Sequence, residues 1–312
     1  MSDAALSDSP TPNDIPWKVS WIPRVRKVLA CVDFSPSGEA LAKTAVALVN
    51  QHWLAKLTLL HVVPPASWLQ GSSPERVKAG KELMKKLCSA WEEDSQPDAV
   101  VVEGQPAQEI CHVAEEMRAD LILLASHGRT GIRRAFWGSI AEAVVHKARC
   151  SVLVLKPGVP SADPAASVPA RTQRIAVAFD GSDGAKAALS VALKFARHGA
   201  EKIILIQALN PSSIEVPPYS GFGDADEQLE SARKDMLEWA ERIGHDLEVQ
   251  VILDVGAPWR VLTDAVENLG VDLLVMGAHH KWRMGQTLLG TVCERTVRHA
   301  ACSVLIVKPA GR

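Results

Sequence analysis

Five short runs dominated by apolar residues punctuate the first half of the chain: Val28–Val32, Leu57–Val63, Ala99–Val102, Leu121–Ala125 and Ser151–Leu155. They lack strict polar alternation, which is the pattern of strands buried on both faces of a parallel sheet. Between them the apolar period lengthens. Ile110, Val113, Ala114 and Met117 fall on one helical stripe, and Met84, Leu87, Cys88 and Trp91 on another. Pro106 stands where a helix's first turn tolerates proline. Strands alternating with helices predict right-handed crossovers and a sheet covered on both faces.

The same unit is written twice. Gly138-Ser-Ile-Ala-Glu through Cys150-Ser-Val-Leu-Val-Leu-Lys-Pro157 recurs without a gap as Gly290-Thr-Val-Cys-Glu through Cys302-Ser-Val-Leu-Ile-Val-Lys-Pro309, with half of the aligned positions identical. Ala119–His127 aligns with Val271–His279, and Gly104-Gln-Pro106 with Gly256-Ala-Pro258. Near the start of each half, Lys27–Asp33 matches Arg174–Asp180. The second half is longer before its third strand, where Pro211–Asp226 reads as an extended loop. The expected organisation is a flexible tail over 1–24, a first α/β domain over 25–157, a Pro- and Ala-rich linker over 158–171 and a second domain over 172–309. The fold class is α/β, as two tandem open-twisted parallel five-stranded sheets with helices on both faces.

Composition adds exclusions. The chain has 312 residues, 47% hydrophobic and 22% charged, a globular balance with material for two cores. Its net charge of −2 argues against broad nucleic-acid or anionic-membrane binding. No run approaches the ~18 apolar residues of a membrane span. The six cysteines (Cys31, Cys88, Cys111, Cys150, Cys293, Cys302) form no C-x-x-C pair and read as buried hydrophobes in a reducing compartment. The expectation is a cytoplasmic protein with no DNA and no membrane partner.

Ligands of open parallel sheets bind beyond the carboxyl ends of the strands. There the chain places Asp33 and Asp180 after the first strand of each half, and Ala125-Ser-His-Gly128 and Gly277-Ala-His-His280 after the fourth. A fixed loop later come Gly138-Ser139 and Gly290-Thr291, each opening the last helix. Gly-Ser or Gly-Thr there offers free N–H groups, a hydroxyl and the positive end of the helix dipole, which together attract an anion. The same pair also serves as an ordinary helix cap. Arg129, Arg133, Arg134, Lys281 and Arg283 add local positive charge. No G-x-G-x-x-G follows a first strand, and neither a G-x-x-x-x-G-K-[ST] loop nor a G-x-S-x-G elbow occurs.

The pattern G-x-x-G-x9-G-[S/T] after the fourth strand, with an Asp after the first and a Lys-Pro ending (Lys156-Pro157, Lys308-Pro309), resembles the universal stress protein family, and does so in both halves. Within the first half Ala125 stands at the first glycine, and in the second His280 at the middle one. The resemblance implies strand order 3-2-1-4-5 and binding of ATP, with or without Mg2+. It implies that Cys31, Asp33 and Val62 meet adenine and ribose, and that Ala125, His127, Gly128, Gly138 and Ser139 line the phosphates. A second, weaker site would comprise Asp180, Gly277, His279, Gly290 and Thr291. Pairing through the last strand would make the two halves an intramolecular pseudo-dimer, with a homodimer and an unknown protein partner as further assemblies.

Beyond one Asp per half the residues offer no general base and no carboxylate pair for a metal, so an efficient hydrolase is not expected. Slow ATP hydrolysis is the most that this inventory allows. Two functions remain: a stress-response sensor or regulator binding ATP mainly in the first domain, and a nucleotide-free scaffold in which the motif survives as helix capping.

Overall fold

A computed structural model of the chain describes residues 25–50, 55–65, 72–91, 96–126, 138–156, 173–197, 199–209, 223–243, 247–278, 282–283, 286–287 and 290–308. The expected tail and linker lie outside them. In the first half the order is β1 (Lys27–Cys31), α1 (Pro36–Leu48), β2 (Lys56–Val63), α2 (Ser73–Cys88), β3 (Asp98–Glu103), α3 (Pro106–Glu116), β4 (Leu121–Ala125), α4 (Ser139–Lys147) and β5 (Ser151–Leu155). The second half repeats it: β6 (Arg174–Ala178), α5 (Asp183–Ala196), β7 (Lys202–Leu209), α6 (Gly223–Ile243), β8 (Glu248–Val255), α7 (Pro258–Asn268) and β9 (Leu273–Gly277). A small hairpin of β10 (Trp282–Arg283) and β11 (Gln286–Thr287) precedes α8 (Thr291–His299) and β12 (Ser303–Val307). The extended loop expected over Pro211–Asp226 is corrected at its end: α6 starts at Gly223 and runs 21 residues against 16 for α2, so part of the insertion is helix.

Each half has the strand order 3-2-1-4-5, and the two five-stranded sets join into one ten-stranded sheet, β3-β2-β1-β4-β5-β12-β9-β6-β7-β8. All pairings in this sheet are parallel except the seam, where β12 and β5 run antiparallel with Leu305 opposite Leu153. Leu153 and Leu305 are the same position of the repeat, so an approximate two-fold axis passes between them. Buried Leu41, Met84, Leu189 and Met236 place α1, α2, α5 and α6 on one face of the sheet. Ile110, Val144, Leu262 and Val297 place α3, α4, α7 and α8 on the other. Strand residues alternate between the two cores, and each core is continuous across the seam.

The seam is closed by crossed side chains. The Lys308 N–H donates to Ser151 Oγ at 3.1 Å, and the Lys156 N–H to Ser303 Oγ at 3.1 Å. The Lys308 ammonium reaches into the first half and donates to the Val145 and Ala148 carbonyls, both at 2.7 Å. These are acceptors at the C-terminus of α4, the negative end of its dipole. Lys156 does the same in reverse, donating to the Ala300 carbonyl at the end of α8. Each half thus caps the other's last helix. Arg298 of α8 adds an ion pair to Glu142 of α4 at 2.9 Å. Such a partly exposed pair contributes little, ~0–1 kcal/mol.

Lys308 is only 1% exposed. Loss of hydration lowers its ammonium from 10.5 to about 8, neighbouring thiols acting in the opposite direction. Below about pH 8 Lys308 is charged whether the chain is folded or not, and the folded state carries the full cost of burying it. As pH rises from about 8 toward 10.5 the folded chain holds fewer protons than the unfolded one, and stability climbs. The buried thiols oppose this at higher pH: Cys150 and Cys302 are pushed up to about 12 by burial, so only the unfolded state ionises there. Comparison with Lys308→Met separates the two effects. Denaturant unfolding should find wild type gaining about 1 kcal/mol on the Met variant between pH 7.5 and pH 9, whereas an unchanged gap would contradict a buried ammonium that titrates there. Thr296 Oγ1 is buried without a partner, and the first half has Val144 at that position. Thr296→Val should therefore stabilise the protein by about 1 kcal/mol in the same assay; a loss would mean that the hydroxyl is satisfied.

Candidate functional site

The residues singled out by sequence gather at the carboxyl ends of the strands. In the first half Cys31 ends β1, Ala125 ends β4, and Val62 lies in β2 opposite Val102 of β3. Asp33 follows β1, and its Oδ1 accepts the Ser35 N–H at 3.1 Å and the Ser35 hydroxyl at 2.5 Å. Ser35 Oγ in turn accepts the Gly38 N–H and caps α1. In the second half Asp180 Oδ1 accepts the Ser182 N–H at 3.0 Å, and Ser182 Oγ accepts the Ala185 N–H at 3.2 Å. Both aspartates therefore hold in place the serine that starts the following helix, which is a structural role in its own right. His127, Gly128, His279 and His280 lie outside the described residues, as do Arg129, Arg133, Arg134 and Lys281.

Gly138 and Gly290 are the N-caps of α4 and α8, followed by Ser139 and Thr291 as first helical residues. Their φ values, −62° and −66°, suit any residue. Among the described residues, a Cβ on Gly290 would meet nothing within 4 Å, and one on Gly138 only the Ser126 carbonyl at 3.4 Å. Nothing among the described residues demands glycine at either place, and neither cap brings a side chain onto its helix N-terminus. The Gly138 N–H is itself taken by the Ser126 carbonyl at 3.1 Å. What α4 offers outward are the N–H groups of its first turn.

Gly277 is a different case. A Cβ there would overlap the backbone of Gly184, in the first turn of α5. Helix and strand end touch through two glycines, so this glycine serves packing. Its counterpart Ala125 faces a helix whose matching residue is Ser37, and the methyl is accommodated. The reverse holds one loop earlier. Phe34 adopts φ 57° where the second half has Gly181 at φ 74°. That left-handed conformation costs a bulky residue ~1–2 kcal/mol, offset by packing of its ring on His61 with centroids 4.4 Å apart.

A cavity of about 170 Å³ opens at this end of the second half, lined by Ala178, Asp180, Ser182, Ala208, Gly277 and Cys293 among others. It is smaller than the ~300–1,000 Å³ of whole small-molecule sites and has room for a flat ring system. Two small residues help to make it: Ala178 and Ala208 occupy the strand positions held by Cys31 and Val62 in the first half. Val292 and Cys293, in the first turn of α8, form one wall, so the bare helix N-terminus adjoins the cavity. Burial pushes the Cys293 thiol up to about 11, which keeps that wall neutral at physiological pH. Ala178, Ala208 and Met276 were missed by sequence reasoning, although carrying Cys31 and Val62 across the repeat register would have found the first two. Among the described residues one cluster could hold a metal ion, Glu142, His146 and Glu294. It lies at the seam, where Arg298 already pairs with both carboxylates.

The family model described as the universal stress protein family matches residues 24–156 and again 171–308. A universal stress protein of Mycobacterium bovis is 24% identical over 267 residues, covering 81% of this chain and 87% of that protein. One from Methanocaldococcus jannaschii is 42% identical over 78 residues, which is 25% of this chain and 46% of that protein. The crystal structure of a universal stress protein from Archaeoglobus fulgidus superposes with a TM-score of 0.63, at 20% identity, over 90% of this chain and 98% of that one. That likeness supports the fold alone.

The two kinds of glycine can be told apart. Gly277→Ala should cost roughly 1–3 kcal/mol in denaturant unfolding, because backbone has to move. Gly290→Ala should stay within about 0.5 kcal/mol of wild type. Equal losses would contradict the division into a packing glycine and a site glycine.

Proposed function

The chain belongs to the universal stress protein family, whose members carry a stress-response role, and on that premise we propose that it binds an adenine nucleotide and acts as a sensor or regulator. The observation that carries the reading is Gly290: a helix N-terminus with no capping side chain and, among the described residues, no packing need for glycine, beside a cavity of ring size. A purine would enter between Ala178, Ala208 and Met276, with Asp180 at the ribose. The phosphates would lie over the first turn of α8, where free N–H groups and the helix dipole meet negative charge. Mg2+ would be carried chiefly by those phosphates, since Asp180 is the one acidic residue among the described residues that line the cavity. Cys31, Asp33, Val62, Ala125, Gly138 and Ser139 form the related set in the first half. The larger Cys31 and Val62 leave less room there, so we assign the principal site to the second half rather than the first.

Mass spectrometry of denatured, freshly purified protein should release an adenine nucleotide, and calorimetry with ATP and magnesium should register binding. Gly290→Val should abolish that heat with little change in melting temperature, and Gly138→Val should leave most of it. Loss confined to Gly138→Val would return the site to the first half. A wild type that neither carries nor binds ATP would leave a nucleotide-free scaffold.

A further inference from the structure

The repeat serves as an internal control, because a feature present in one half only is not required by the fold. One such feature lies on the outer side of α7 and α8. Trp259, partly buried, has the Arg260 guanidinium 5.2 Å and the Arg295 guanidinium 5.8 Å from its ring centre. The His299 ring lies 5.1 Å away, tilted by 37°. The equivalent positions of the first half are Ala107, Gln108, Ala143 and Lys147, so neither the aromatic ring nor either arginine has a counterpart.

Arg260 is also in the wrong place for helix stability. It sits in the first turn of α7, which has no acidic residue, and a cation there opposes the helix dipole. The first half has Gln108 at that position and Glu109 in the first turn of α3. Neither Arg260 nor Arg295 forms an ion pair among the described residues, although both are exposed. Stacking on Trp259 holds the two guanidinium forks while leaving their N–H donors unspent. Preorganised forks of this kind match carboxylates in bidentate fashion.

We propose that the Trp259–Arg260–Arg295–His299 patch is a docking surface for an acidic peptide segment of a partner protein. Charge complementarity decides the partner's chemistry: exposed cations around an apolar plate fit closely spaced carboxylates with some apolar contact. A nucleic-acid backbone fits less well, because so few cations release few counterions and the chain as a whole is at −2. The surface is independent of the nucleotide reading, since it uses the outward side of α7 and α8 and not the cavity-lining Leu262 and Cys293.

Fluorescein-labelled octaglutamate, titrated with the full chain at low salt and followed by anisotropy, tests this. Wild type should bind, and added salt should weaken it. Arg295→Glu and Trp259→Ala should each weaken binding about tenfold or more, with Lys85→Glu on α2 as a surface control that changes little. Should Trp259→Ala fail to fold, Arg295→Glu alone decides. Absence of binding, equal weakening by Lys85→Glu, or tighter binding of a single-stranded oligonucleotide of equal charge to the same patch would overturn the proposal.

Discussion

The antiparallel pair β5–β12 is the constraint on which the other features of the molecule depend. Each half alone would end in an apolar strand with one open edge, an invitation to uncontrolled pairing. Joining the two edges removes both at once and makes the helix layers continuous over ten strands. The lysine that follows each half's last strand, Lys156 or Lys308, then crosses the axis and satisfies carbonyls at the end of the other half's last helix. That helix is also the one whose opposite end is left bare by a glycine. A nine-residue helix is therefore anchored at its C-terminus by the partner half and open to an anion at its N-terminus. Assembly and the proposed site share a single element.

Much of this is legible in the sequence. Unalternated apolar runs mark buried parallel strands, and the written-out repeat announces two similar domains. The role of Lys156 and Lys308 is not legible. Lysine is expected at a surface, and nothing along the chain says that the ammonium of residue 308 meets the carbonyls of Val145 and Ala148, since that contact exists only once the halves are apposed. The insertion before the third strand of the second half reads as loop because Pro211, Pro217, Pro218, Gly221 and Gly223 interrupt it, yet its end extends α6.

At the site the sequence points to the carboxyl ends of the strands and takes the first half as the stronger site, since Ala125 adds only a methyl where His280 adds an imidazole. The proposed principal site in the second half rests instead on side-chain size, Ala178 and Ala208 being smaller than Cys31 and Val62 at the matching strand positions. The glycines also carry more than one meaning. Gly277 lets α5 touch the strand end, Gly181 takes a left-handed turn that Phe34 takes under strain, and Gly290 answers to neither need. Of the two motif glycines in the second half, Gly277 is thus tied to packing, and Gly290 is the one on which the proposed binding rests.

The central claim, that the two halves are one cooperative unit held at the seam, is tested most directly by native-state hydrogen exchange. Amides of β5 and β12 should exchange only through global unfolding, with the same opening free energy as amides of the central strands β1 and β6. Earlier exchange at β5 and β12, with β1 and β6 still protected, would mean that the halves separate while folded and would contradict the account.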